Sequence, residues 1–162
     1  MAIRDAILEE FNFPCVIKSP CQGSSIGVYI VKTQNQLVEA IDSAFELDDT
    51  LLVEEFLCGK ELTVPVMKVD GVIKVFPIIE IASNNDFYDF EAKYTAGKSN
   101  HIIPAQLDDL TRIRIQDIAK KVYVNTEAKG IIRIDFMLDK HDEPMVVEIN
   151  TLPGMTATSL VP

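Results

Sequence analysis

Ile131-Ile132-Arg133-Ile134-Asp135-Phe136-Met137-Leu138, followed a short charged turn later by Met145-Val146-Val147-Glu148-Ile149-Asn150, decides the reading of this chain. Both runs read as strands. Side chains two apart on a strand share a face, so Arg133 lies beside Asp135 and Glu148 beside Asn150. With residues 140–143 as a four-residue hairpin loop, Asp139 faces Pro144. That register sets Asp135 opposite Glu148 and Arg133 opposite Asn150. Two facing carboxylates repel unless a cation or a proton separates them. Oxygen ligands of this kind suit Mg²⁺ or Mn²⁺ completed by water and phosphate, and Arg133 is placed to stabilise an oxyanion. The same pattern fits a solvent-exposed hairpin in which Arg133 only neutralises the acids. Pattern alone leaves both readings open.

Working upstream, the chain opens on a helical pattern with Ile3, Ala6 and Ile7 on one face. After Pro14, Cys15-Val16-Ile17 reads as a buried strand ending at Lys18. A Gly/Ser loop from Cys21 to Gly27 leads into a strand from Val28 to Val31. Thr33 with Gln36 three residues later predicts a capping box, opening a helix with Leu37, Ile41, Ala44 and Phe45 on one face. Leu51 to Phe56 reads as the next strand. Alternation at Leu62, Val64 and Val66, then Asp70-Gly71, then Val72 to Ile81, predicts a hairpin. Residues 82–105 are polar and aperiodic, which in a compact domain predicts an active-site lid or disorder. A helix beginning near Asp108 shows Ile115, Ile118, Ala119 and Val122. Strands, helices and hairpins in this order predict an α+β fold.

Two further segments carry candidate chemistry. Lys18 at a strand end, followed by Gln22-Gly23-Ser24-Ser25-Ile26-Gly27, has the composition of a phosphate cover. Glycines let backbone N–H groups approach anionic oxygens, and serines add donors. It lacks the Gly-Lys-Ser/Thr ending of a P-loop, and an ordinary strand connection has the same composition. Glu54-Glu55-Phe56-Leu57 could offer backbone groups to a purine, and Glu61 could accept bonds from ribose hydroxyls. A strand ending in solvated acids is the plainer alternative.

Bulk properties narrow the classes. The 162 residues suffice for one compact domain or two small lobes. Fifteen basic against 25 acidic residues give a net charge of −10, with no basic stripe, which argues against nucleic acid as a partner. No apolar run reaches the roughly 20 residues of a membrane span, and no signal-peptide pattern opens the chain, so a cytoplasmic site of action is expected. Cys15, Cys21 and Cys58 form no CxxC or Cys/His cluster and read as reduced thiols. His101 and His141 do not make a metal-binding pair.

Taken together, these segments resemble the D-alanine–D-alanine ligase family of the ATP-grasp superfamily. The resemblance runs through Phe13 to Lys18, Gln22 to Gly27 and Glu54-Glu55-Phe56. It continues through Phe87-Tyr88-Asp89-Phe90-Glu91-Ala92-Lys93-Tyr94 and Arg133-Ile134-Asp135. It closes with Glu148 to Thr156 and Ser159-Leu160-Val161-Pro162. It implies a partial ATP-grasp fold of two α+β lobes with nucleotide between them. Residues 1–56 would belong to the central lobe and 57–162 to the C-terminal lobe with its lid and metal-binding hairpin. Lys18, Gly23, Ser24 and Ser25 would meet ATP phosphates, Glu54, Glu55 and Leu57 the adenine, and Glu61 the ribose. Lys93 would reach the transferring phosphate, and Tyr94, held by Ser24, would close over the substrates. Asp135, Glu148 and Asn150 would bind two Mg²⁺ ions, Arg133 and the Gly154 N–H would support an oxyanion, and Ser159 and Leu160 would meet the second D-alanine.

The implied reaction makes an acyl phosphate from one D-alanine and ATP, then the dipeptide by attack of a second amine. The rival products are D-alanine–D-serine and D-alanine–D-lactate, and the resemblance at Tyr94 in the lid implies an amine nucleophile, because depsipeptide-forming relatives have a different lid sequence. A non-catalytic ATP-binding module and a purely structural module are the other rivals. Gln22, where the family commonly has Glu, and Ile132, where a small residue is usual, depart from the pattern but leave the expected ligands intact. Both ends look truncated. The resemblance implies a missing N-terminal lobe, a second ATP-contacting lysine and a closing C-terminal helix, with homodimers typical at full length. Little ligase activity is therefore expected of this polypeptide alone.

Overall fold

A computed structural model describes residues 3–23, 25–83, 99–155 and 159–161. The chain divides between Phe56 and Leu57 into two compact units. The first contains α1 (Ile3–Glu10), β1 (Cys15–Lys18), β2 (Val28–Val31), α2 (Gln34–Phe45) and β3 (Leu52–Glu55). Its antiparallel sheet has the order β2-β1-β3. Cys15 and Ile17 alternate into a core shared with Ile7, Val31, Leu37, Ala40, Ile41 and Ala44. Gln36 Oε1 accepts the Thr33 N–H at 3.2 Å, as a capping box requires.

Two helix faces differ from expectation. In α1 the packed residues are Ile7, Leu8 and Phe11, while Ile3 and Ala6 are exposed. The stripe is rotated toward Phe11, whose N–H continues the helical bonding to the Ile7 carbonyl at 2.9 Å. In α2 Ala40 is buried and Phe45, in the last turn, is exposed.

The second unit holds β4 (Glu61–Val69), β5 (Val72–Val75), β6 (Ile79–Ser83), β7 (Ser99–Ile102), α3 (Asp109–Asn125), β8 (Ile131–Leu138) and β9 (Pro144–Asn150). The path β7-β6-β4-β8-β9 is antiparallel throughout, with β5 also on β4. Val72 to Ile81, expected as one strand, is two. β4 pairs with β6 through Glu61–Thr63 and with β5 through Val66–Val69. Pro65, which has no N–H to give the ladder, sits at the changeover, and Pro77 lies in the break between β5 and β6. The polar stretch contains β7, which its composition hid. Residues 84–98, expected to form the lid, lie outside the described residues.

Ile115, Ala119 and Tyr123 of α3 pack on Leu62, Val64 and Val66 of β4 and on Ile132, Ile134, Phe136 and Leu138 of β8. Asp108 caps α3, accepting from Leu110 N–H at 2.9 Å and Thr111 N–H at 3.0 Å. These bonds hold its carboxyl below the ordinary range, the Thr111 bonds foremost. Because the even-numbered β8 residues fill this core, the odd-numbered Arg133 and Asp135 face the opposite side of the sheet. That side carries the polar cluster.

Candidate active site

The turn joining β8 to β9 is not the four-residue loop of the sequence reading. Leu138, not Asp139, pairs with Pro144. Asp139 instead organises the turn: its N–H reaches the Glu143 carbonyl at 3.0 Å, and its carboxylate takes the His141 and Glu143 N–H groups at 2.7 and 2.9 Å. Those bonds, Glu143 first, lower the Asp139 pKa. Carried down a regular ladder, the Leu138–Pro144 register would set Asp135 opposite Val147. It does not, because the pairing shifts by one residue between Phe136–Val146 and Asp135–Glu148, leaving Val147 as a bulge. Asp135 is thereby opposite Glu148 and Arg133 opposite Asn150, the arrangement expected from sequence.

Around Asp135 the side chains converge. Arg133 grips it with Nε on Oδ1 at 2.9 Å and a terminal guanidinium N–H on Oδ2 at 2.8 Å. Asn150 donates its amide to Oδ2 at 2.9 Å, and Thr63 donates its hydroxyl to Oδ1 at 2.6 Å. The salt bridge of the plainer reading is thus present, but half-sheltered: the Arg133 and Asp135 side chains are 21% and 18% exposed. Thr63 was not singled out from sequence. Its signal was a hydroxyl in an otherwise apolar strand interior, directly across from Asp135. Gly59 was missed too. A Cβ there would lie 2.4 Å from the Leu138 carbonyl oxygen, so only glycine lets the chain entering β4 bond to the end of β8.

Among the described residues no group of three or more His, Cys, Asp or Glu side chains is placed to hold a metal. A cation on this face would take the Asp135 and Glu148 carboxylates and the Asn150 amide oxygen, the atom left when the amide nitrogen serves Asp135. Hard oxygen donors of mixed charge fit Mg²⁺ or Mn²⁺ and would not fit a thiophilic ion. Further along, a Cβ on Gly154 would come within 2.9 Å of Ser159 Oγ, so these two candidates are neighbours. Leu160 is half-buried, and so is Glu61 at the start of β4.

In the first unit Lys18 forms an ion pair with Glu54, its diagonal neighbour across β1 and β3. Lys18 is the candidate for phosphate and Glu54 for adenine, and the structure brings the two together. Glu55 at the end of β3 is exposed. The loop after Lys18 is tied at its base: Ser19 N–H donates to the Gly27 carbonyl at 2.9 Å, and the buried Ser19 hydroxyl to the Ala44 carbonyl at 3.1 Å. Gly27 at φ +72° leaves no room for a side chain, since its Cβ would lie 2.7 Å from Ser19 Oγ. Gly23 faces open space, and Ser25 adopts a left-handed φ of 63°.

Gln22 donates its side-chain amide to the Leu47 carbonyl at 3.2 Å, and Cys21 N–H reaches Asp48 at 2.9 Å. The same Asp48 raises the Cys21 thiol pKa, chiefly by accepting its hydrogen bond, and is itself lowered by that bond. Gln22 therefore has a local role as a donor that a glutamate could not fill. Ile132, the other departure, is buried in the core on the α3 side, away from the polar face. Ser24, Lys93 and Tyr94 lie outside the described residues.

A family model described as D-ala D-ala ligase C-terminus matches residues 1–162. The chain belongs to this family. It is 44% identical over 160 residues to the D-alanine–D-alanine ligase of Moorella thermoacetica, an alignment covering 99% of this chain and 52% of that protein. The VanG D-Ala:D-Ser ligase of Enterococcus faecalis superposes with a TM-score of 0.81 at 32% identity, covering 98% of this chain and 46% of that one. The D-alanine–D-alanine ligase of Bacillus anthracis complexed with ATP superposes with a TM-score of 0.77 at 30% identity, covering all of this chain and 50% of that one. The fold is accordingly the C-terminal part of an ATP-grasp ligase, and the chain spans about half the length of the curated relatives it matches. Among the described residues no helix is long and apolar enough to cross a membrane.

Proposed function

We propose that this chain supplies the nucleotide-binding and cation-binding half of an ADP-forming ligase that joins two D-alanines. The observation that carries the reading is the β8–β9 face. Arg133, Asp135, Glu148 and Asn150 are held there in register, with two carboxylates opposed and an arginine beside them. In the reaction a D-alanine carboxylate takes the γ-phosphoryl group of ATP, releasing ADP. The amine of a second D-alanine then displaces phosphate from the acyl phosphate and loses its proton, giving D-alanyl-D-alanine for the peptidoglycan precursor.

Each residue has its share. Asp135, Glu148 and Asn150 hold two Mg²⁺ ions, or Mn²⁺, which when bound offset charge on the phosphoryl group. Arg133 and the Gly154 N–H stabilise the oxyanion of the second step, where negative charge grows on the carbonyl oxygen. Ser159 and Leu160 meet the second D-alanine, and Glu61 holds the ribose. Residues 1–56, as the central-lobe part, contribute Lys18, Gly23, Ser24 and Ser25 to the phosphates. Glu54 and Glu55, with Leu57 of the C-terminal-lobe part (57–162), serve the adenine. Lys93 and Tyr94 complete the set as lid residues that exclude water from the acyl phosphate. A cytoplasmic homodimer containing a further lobe for the first D-alanine belongs to the same reading.

The test puts this chain in place of the matching residues of the Moorella thermoacetica ligase, keeping that enzyme's own flanking segments on both sides, and supplies ATP, Mg²⁺ and D-alanine. ADP release that depends on D-alanine, with dipeptide identified by mass spectrometry, is the expected result. ATP binding without turnover would mean a non-catalytic module, and no ATP binding would overturn the reading altogether. The likeness to a D-Ala:D-Ser ligase favours one alternative, D-serine as second substrate. Competition among D-alanine, D-serine and D-lactate near neutral pH separates the products.

A further inference from the structure

We infer that Thr63 is the positioning residue that aims the Asp135 carboxylate at a divalent cation, an inference that rests on the cation-binding reading above. Thr63 is fully buried, in a strand whose neighbours Leu62, Val64 and Val66 are apolar. A buried hydroxyl is costly unless bonded, and this one donates to Asp135 Oδ1 at 2.6 Å. Its backbone is clamped on both sides, opposite Ile79 of β6 and Asp135 of β8, whereas Glu148 and Asn150 belong to β9, which among the described residues is at the end of the sheet. Thr63 therefore gives Asp135 its rigid reference.

Counting acceptor sites sharpens the assignment. A carboxylate offers about four lone-pair positions, two on each oxygen. Arg133 takes one on Oδ1 and one on Oδ2, Thr63 the second on Oδ1, and Asn150 the second on Oδ2. Any cation on Asp135 must displace one of these donors. Arg133 is the partner that a like charge repels, and its flexible stem lets it leave. Thr63 and Asn150, one on each oxygen, then hold the carboxylate plane while a lone pair on each oxygen becomes free. Outer partners of this kind typically change metal affinity about 10–100-fold when removed.

The experiment titrates the 162-residue chain with Mn²⁺ alone, followed by electron paramagnetic resonance, with thermal melting as a check on folding. Thr63→Val, which keeps the shape and removes the donor, should raise the Mn²⁺ Kd about 10–100-fold. Thr63→Ser should restore it to within about threefold. Unchanged binding in Thr63→Val, or Thr63→Ser as weak as Thr63→Val, would overturn the positioning role while leaving the cation site intact. No Mn²⁺ binding by the unsubstituted chain would instead sink the cation reading and this inference with it. Should Thr63→Val not fold, proton NMR of the unsubstituted chain decides: a slowly exchanging Thr63 hydroxyl proton is expected, and a freely exchanging one overturns the inference.

Discussion

Asp135 and Glu148 face each other across β8 and β9 although the turn joining those strands is one residue out of step with that pairing. The Val147 bulge absorbs the difference. Because side chains alternate with a period of two, one residue more or less decides which face Glu148 and Asn150 occupy. Deleting Val147 leaves Glu148 directly after Val146 and keeps it opposite Asp135, so Mn²⁺ affinity should stay within about threefold. Inserting an alanine between Val147 and Glu148 should turn both β9 ligands to the other face and abolish binding, with the melting transition retained. Equal Mn²⁺ titrations for the two variants would show that register does not place the ligands.

Gly59 tests the join between the start of β4 and the end of β8. Its N–H donates to the Leu138 carbonyl at 3.0 Å, and a Cβ would meet that same oxygen. The obstruction is backbone, so it cannot rotate aside. Gly59→Ala should destabilise the fold by about 1–3 kcal/mol, as overpacking does. Urea denaturation measures it, and a midpoint equal to the parent's would mean that the two strands part without cost.

How much of this was legible in the sequence depends on the range of the interactions. Alternation placed Arg133 beside Asp135 and Glu148 beside Asn150, because strand period is a local property. The opposition of Asp135 to Glu148 was also read, but through a loop of the wrong length. A loop lengthened by Asp139 and a bulge at Val147 cancelled, and neither has a strong local signal. Thr63 was out of reach because its partner lies 72 residues away. The Lys18–Glu54 pairing was invisible for a similar reason: it depends on the β1–β3 register, which no turn between them dictates. Ile3 and Phe45 fit their helical stripes and still ended in solvent, since periodicity gives a face but not how far the core extends along it.

Arg133 carries the sharpest mechanistic expectation. Its planar fork of N–H donors, turned on both Asp135 oxygens in this structure and released toward the oxyanion once a cation takes that carboxylate, is a geometry lysine cannot reproduce. In the chimeric ligase described above, Arg133→Lys should lower kcat about 10²–10³-fold while the KM for ATP moves only a few-fold. Steady-state ADP release with ATP and D-alanine varied separately gives both numbers. A change confined to the KM for ATP would place Arg133 in binding and remove it from the oxyanion.

Gln22 should act on the loop and leave the core alone. Its amide holds the Leu47 carbonyl near the end of α2, beside the Cys21–Asp48 bond. Gln22→Glu replaces that donor with a carboxylate and brings negative charge close to Asp48. The segment from Ser19 to Gly27 should then be cut faster by a protease under native conditions, at a nearly unchanged melting temperature. Cleavage at the parent rate would mean that Ser19 and Gly27 alone hold the loop.

Acid should loosen the protein through its local caps. Asp48, Asp108 and Asp139 each have a pKa lowered by hydrogen bonds that exist only in the fold. A depressed folded pKa means that the unfolded chain binds the proton more readily. The stabilisation is therefore complete above the unfolded value of about 4 and is lost as pH falls through the lower folded values. Urea midpoints should be level between pH 5 and 7 (roughly the range where carboxylates stay ionised) and fall below about pH 4. Asp108→Asn with Asp139→Asn keeps an oxygen acceptor at both positions but removes the titration, so the double variant should lose less stability on acidification than the parent. Parallel acid limbs for the two proteins would assign the acid sensitivity to other carboxylates.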